Sequence, residues 1–125
     1  MRKPISFLAT TDAEATRNFY SDIVGLKLIE DSPFALVFDD GGHMLRVQKV
    51  ETLNPATHTV HGWEVNDIED AILELTEKGV EMCRYDGLDQ TSEGIWTSPA
   101  GHKVAWFKDP CGNNLSLTEF QSAAP

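Results

Sequence analysis

Few side chains in this sequence are equipped for chemistry, and their spacing decides which of them can act together. His58 and His61 lie three apart in a stretch that reads as a strand, so their rings leave opposite faces and cannot share an ion without a bulge. His43 and His102 fall in turns. Cys83 and Cys111 are too few and too far apart for a disulfide framework; free thiols in a reducing compartment are expected, and neither has a thiolate-activating neighbour along the chain. Arg46 and Gln48 alternate with Leu45 and Val47, which places the two polar side chains on the face opposite the apolar pair. Glu64 shares a face with Val60 and Gly62, and a carboxylate midway along a largely buried strand is costly unless paired; partly desolvated, it can also serve as a base. Arg46 is then either a clamp for a carboxylate, phosphate or enolate oxygen or a structural partner of Glu64, and the residue types leave both open.

The elements that must position these groups follow from turn chemistry and periodicity. From Phe107 to Leu117 the chain reads as strand, reversal and strand: Asp109-Pro110 sets up a turn, Gly112 supplies a positive backbone angle, and Leu115 and Leu117 alternate with Asn114, Ser116 and Thr118. The same pattern stands earlier, where Phe38, an acid- and glycine-rich turn, Leu45 and Val47 repeat it. Thr11-Asp12-Ala13-Glu14 is echoed 55 residues on by Asn66-Asp67-Ile68-Glu69, each opening a helix after a short strand. The chain is an internal duplication.

In order, a strand over 5–10 leads to a helix with a Thr11/Glu14 capping box, a buried stripe of Thr16, Phe19, Tyr20 and Ile23, and a stop at Gly25. Strands over 26–30, 34–38 and 44–50 complete the first module, 1–50. A connector, 51–58, contains Asn54-Pro55. The second module, 59–120, opens with a strand over 59–65 and a helix with an Asn66/Glu69 capping box, an apolar face of Ile68, Ala71, Ile72 and Leu75, and a stop at Lys78-Gly79. Strands over 80–85, 94–98 and 103–108 precede the last one. Asp86 to Glu93 is the stretch where this half exceeds the first, a polar loop that either covers a site or is only an insertion. Trp63 and Trp96 are expected in the core.

Composition narrows the class. With 41% apolar and 24% charged residues, the 125-residue chain fits one soluble domain, 1–125. No apolar run approaches the roughly 20 residues that span a bilayer, and the first residues lack a signal-peptide core, so a cytoplasmic protein without membrane association is expected. A net charge of −10 argues against a nucleic-acid partner.

Two tandem βαβββ modules, the first carrying strand-Thr-Asp, then Phe19-Tyr20 and Val24-Gly25-Leu26, the second closing on Asp109-Pro110 with Gly112-Asn113, resemble the vicinal oxygen chelate superfamily of glyoxalases, bleomycin-resistance proteins and dioxygenases. The resemblance implies an α+β fold in which the modules form a curved, cup-like mixed sheet with the helices outside. It also implies four metal-ligand places, and here they read Ile5, Arg46, Val60 and Ser116, none a good ligand for a divalent ion. No cofactor is therefore expected. The expected function is metal-independent binding of a small organic molecule, an anion among the candidates, by a homodimer, with Arg46 and Gln48 as anchors, Glu64 and Ser116 nearby, and apolar walls from Phe7 and one of Trp106 or Phe107. The alternative is an enzyme of the family, a lyase, isomerase or dioxygenase with an atypical metal site or with Glu64 as base. A structural or protein-binding module is a third class, kept open by the acidic surface.

Overall fold

Strict alternation in the fourth strand organises the first half of the molecule. The computed structural model describes residues 2–121. β4 (His43–Lys49) lies between β1 (Ile5–Thr10), which it pairs in parallel, and β3 (Ala35–Asp40), and β2 (Lys27–Asp31) completes the order β1-β4-β3-β2. Leu45 and Val47 are fully buried, and Phe38 is registered with Leu45.

The second half repeats this topology. β5 (His61–Glu64), β8 (Asn114–Glu119), β7 (Lys103–Lys108) and the short β6 (Trp96–Thr97) stand in the order β5-β8-β7-β6. Phe107 is registered with Leu115, as Phe38 is with Leu45, and both residues of the second pair are buried. The duplication is thus one of topology and of core register, and the fold is α+β with two βαβββ modules. The chain forms two compact units, one running up to Val60 and including the turn 109–113, the other comprising 61–108 and the chain from Asn114 onward. No helix among the described residues is long and apolar enough to cross a membrane.

Both helices begin one residue later than their expected capping boxes. Asp12, not Thr11, caps α1 (Ala13–Asn18), its Oδ1 accepting from Ala15 N at 3.1 Å; Asp67, not Asn66, caps α2 (Ile68–Glu77) through Asp70 N at 3.1 Å. The short Asp carboxylate reaches the third amide beyond it as well as Thr or Asn would. α1 then widens into a π-helical segment, Phe19–Val24, that ends on Gly25 at φ 88°. Thr16, Phe19 and Tyr20 are buried as the stripe requires, with Ile23 half-buried. In α2, Ile68, Ile72 and Leu75 are buried.

Residues 80–85 do not form the expected strand. Cys83 N donates to Trp106 O at 2.8 Å, but the Gln90 side chain takes neighbouring backbone groups, accepting from Tyr85 N at 2.9 Å and donating to Cys83 O at 3.1 Å. A side chain thus replaces the ladder partner. The first strand of this module is also shorter than expected, starting at His61, which leaves His58 in a bend.

The 109–113 turn does more than reverse the chain. Asp109, 5% exposed, accepts four hydrogen bonds: from Cys111 N at 2.9 Å and Asn113 N at 3.0 Å on one oxygen, and from Tyr20 Oη at 2.7 Å and Asn113 Nδ2 at 2.8 Å on the other. Asn113 Nδ2 also donates to Ala9 O at 2.9 Å, so the turn is fastened to both β1 and the helical segment. Tyr20, itself fully buried, packs its ring edge-on to Phe19 at 5.1 Å and tilted to Phe38 at 5.6 Å.

Candidate functional site

Each sheet has one face turned to its core and a second, partly open face, and register fixes which residues share the latter; Ala35 and Val37 on the first sheet and Asn114 and Ser116 on the second are buried there. In the first sheet Phe7 stands beside Arg46, Ile5 beside Met44 and Ala9 beside Gln48, and paired residues project to the same side. Ile5, Phe7 and Met44 are 45%, 55% and 39% exposed, so apolar surface lies beside the half-buried Arg46 on its β1 side, while Glu30 and Asp39 stand on the same face beyond it. Among the described residues the Arg46 side chain makes no hydrogen bond or ion pair. A guanidinium has five donors in a planar fork, and the flanking Phe7 and Met44 offer them no acceptor oxygen.

The open face of the second sheet carries Gly62 and Glu64 from β5, Asn114 and Ser116 from β8, Trp106 from β7 and Trp96 from β6. Of Trp106 and Phe107, Trp106 is therefore the one on this face, and Phe107, 1% exposed, belongs to the core. Trp96, expected in the core, joins Trp106 instead, at 6.3 Å between ring centroids; Tyr85 packs edge-on to Trp106 at 5.6 Å. Trp63 lies on the other side, stacked on Phe107 at 6.1 Å. Asn114 Nδ2 donates to Tyr85 Oη at 3.3 Å. Partial burial, and then the neighbouring Cys83, hold the Tyr85 phenol above its ordinary pKa despite the Asn114 bond. Gly62 is required sterically: a Cβ there would lie 2.4 Å from Ser116 Oγ and 2.9 Å from Ser116 O.

Glu64 differs from its expected setting. It is exposed, and it is the last residue of β5 rather than midway along a buried strand. Without desolvation the reason for treating it as a base is gone. Val60 lies just before β5 and is half-buried, and Ser116 is buried. Arg46, Phe7 and Gln48 are brought together on the first sheet, and Glu64, Trp106 and Ser116 share the open face of the second.

These residues do not fit a divalent cation. Ile5 and Val60 are hydrocarbon, Arg46 is itself a cation, and Ser116 Oγ is a single neutral oxygen shielded by the approach of Gly62. His43, one residue before the exposed Met44, has its Nε2 2.8 Å from Ser6 Oγ, and His102 Nδ1 accepts from Gln121 N at 2.9 Å. Among the described residues no three His, Cys, Asp or Glu side chains group to hold a metal.

Sequence reasoning missed the environment of Cys111. Its Sγ lies 3.2 Å from Thr10 Oγ1, 3.7 Å from Thr11 Oγ1 and 3.9 Å from Thr16 Oγ1. Burial pushes the thiol pKa up, but hydrogen bonds from Thr10, Thr11 and Thr16 outweigh it and leave the pKa below the ordinary value. The Thr10 partner is 101 residues away in sequence, and only the folded turn makes it visible.

The duplicated topology and the two open faces can be compared with known proteins. The model of the glyoxalase/bleomycin resistance protein/dioxygenase superfamily matches residues 5–117. The chain belongs to this superfamily. No curated protein sequence matches it. Among solved structures it is similar to a glyoxalase family protein from Bacillus anthracis, at 20% identity and a TM-score of 0.73, covering 97% of this chain and 98% of that one. A genomically encoded fosfomycin resistance protein from Listeria monocytogenes is 14% identical with a TM-score of 0.76, covering 97% and 94% of the two chains. Lactoylglutathione lyase from Agrobacterium tumefaciens is 18% identical with a TM-score of 0.71, covering 95% of each. At such identities the likeness establishes the fold alone, and superfamily membership leaves the activity of this member to be argued from its own side chains.

Proposed function

We propose that this superfamily member binds a small organic anion on the open face of the first sheet without a metal. The observation that carries the reading is the Arg46 guanidinium: half-buried, beside the exposed Phe7 and Met44, and without a hydrogen-bond partner among the described residues. A carboxylate would satisfy the fork with two charge-assisted bonds, while an apolar or aromatic body would cover Phe7 and Met44 and remove them from water. Gln48, two residues along the same face, offers a further donor and acceptor. The fold neighbours include a lyase and a resistance protein by name, so the choice between catalysis and capture rests on the residues, and the unpaired Arg46 fork beside exposed hydrocarbon favours capture.

Calorimetric titration with benzoate and with its neutral analogue benzamide tests this. Benzoate is expected to bind, to bind equally after exhaustive chelation, and to bind protein whose elemental analysis shows no stoichiometric divalent metal. Equal binding of benzamide, or loss of benzoate binding on chelation, would overturn the reading.

We also propose that the protein works as a homodimer in the cytoplasm. β1 and β2 are the outer strands of one sheet and β5 and β6 those of the other, and pairing across subunits is a way to cover outer strands that would otherwise invite aggregation. Light scattering at micromolar concentration is expected to give the mass of two chains; the mass of one chain would refute the dimer.

A further inference from the structure

The loop 86–93, by which the second module exceeds the first, helps to wall a groove beside α2. Two side chains set the loop in place. Gln90 ties it to Cys83, Tyr85 and, at 2.9 Å, Gly94 O, and the Arg84 guanidinium donates to Thr91 O at 2.6 Å and to Ser92 O. Gly94, at φ 95°, lets the loop close on the preceding segment, with the Met82 side chain 3.3 Å from where a Cβ would sit. The groove between α2 and this assembly measures about 490 Å³, within the ordinary range for small-molecule sites.

Its surface has a definite chemistry. Ile72 and Leu73 from the helix and Val80 and Met82 from the facing segment supply the apolar part, and Leu73 is 53% exposed. Glu69, Glu81 and Glu93 supply three carboxylates, all exposed, and none has an ion pair or hydrogen bond among the described residues. The one cation of the lining, Arg84, has its donors turned to the carbonyls of Thr91 and Ser92. The groove therefore combines hydrocarbon with a net negative charge, three carboxylates against the one guanidinium of the lining.

We propose that it binds a small organic cation with an apolar body, an alkyl- or aryl-ammonium. The ammonium group would be drawn by the carboxylates that line the groove, and the body would cover Leu73 and Met82. This site is separate from the anion site of the first sheet and does not depend on it.

Amide chemical-shift mapping by NMR tests the proposal with three probes: hexyltrimethylammonium, tetramethylammonium and hexanoate. Hexyltrimethylammonium is expected to shift the amides of Leu73, Thr76, Met82 and Glu93 saturably. Tetramethylammonium, which lacks the body, and hexanoate, which reverses the charge, are expected to leave those amides in place. The double substitution Glu81→Gln with Glu93→Gln, at exposed positions, should weaken binding about tenfold, and high salt should weaken it in the wild type. Equal shifts of these amides by hexanoate, no saturable shift with the hexyl cation, or unchanged affinity in the double variant would each refute it.

Discussion

Replacing Asp109 by alanine is expected to cost about 3–5 kcal/mol of stability, a large part of what a small domain has. The carboxylate accepts four hydrogen bonds while 5% exposed, and its removal strands the Tyr20 hydroxyl and the Asn113 amide in a buried site. Tyr20→Phe removes one donor and leaves the carboxylate with three, so a smaller loss of about 1–2 kcal/mol is expected. Urea midpoints measure both, and a loss under about 1 kcal/mol in Asp109→Ala would mean that the turn is not the fastening described. Tyr20 adds a pH signature. Burial first, and the Asp109 charge second, raise its phenol pKa in the folded state far above the ordinary value. Below the unfolded pKa of about 10 both states hold the proton and the contribution is complete. As pH rises above that value the unfolded chain releases the proton while the folded one keeps it, and stability falls. Tyr20→Phe should remove that part of the alkaline decline.

This turn also marks the limit of what the sequence discloses. Asp109, Pro110 and Gly112 announce a reversal through local chemistry, and Gly112 does take φ 87°. The burial of Asp109 depends on Tyr20, 89 residues away, and nothing in the turn itself points there. The core register is legible for a related reason: Leu45 with Val47, and Leu115 with Leu117, are set by alternation within short strands, which needs no distant information. Where a side chain competes with the backbone, alternation fails. Gln90 occupies the groups that would have made 80–85 a strand, and a residue five positions beyond that segment's end carries no signal of doing so. Trp96 escapes the reading because β6 has only two residues, too few to show a period. Glu64 escapes it because β5 ends there, so its face follows from parity and its exposure does not.

Arg46→Ala is expected to weaken binding of an organic carboxylate about ten- to a hundredfold, the equivalent of a charge-assisted contact of roughly 1.5–3 kcal/mol. The same change should leave the melting temperature nearly unaltered, because no hydrogen bond or ion pair among the described residues is broken. Its two neighbours on β4, Leu45 and Val47, hold the strand in the core by themselves. Arg46→Lys separates charge from geometry: an ammonium keeps the attraction and loses the planar fork, so affinity should fall between wild type and alanine. Phe7→Ala tests the apolar half of the site, removing a ring that is 55% exposed in the unliganded protein and covered on binding. It should weaken benzoate and leave acetate, which has no ring to place there, almost unaffected. A carboxylate that binds Arg46→Ala as it binds the wild type would refute the anion site. A large loss of stability in Arg46→Ala would show instead that the guanidinium serves the fold, and the open face of the first sheet would then need another anchor.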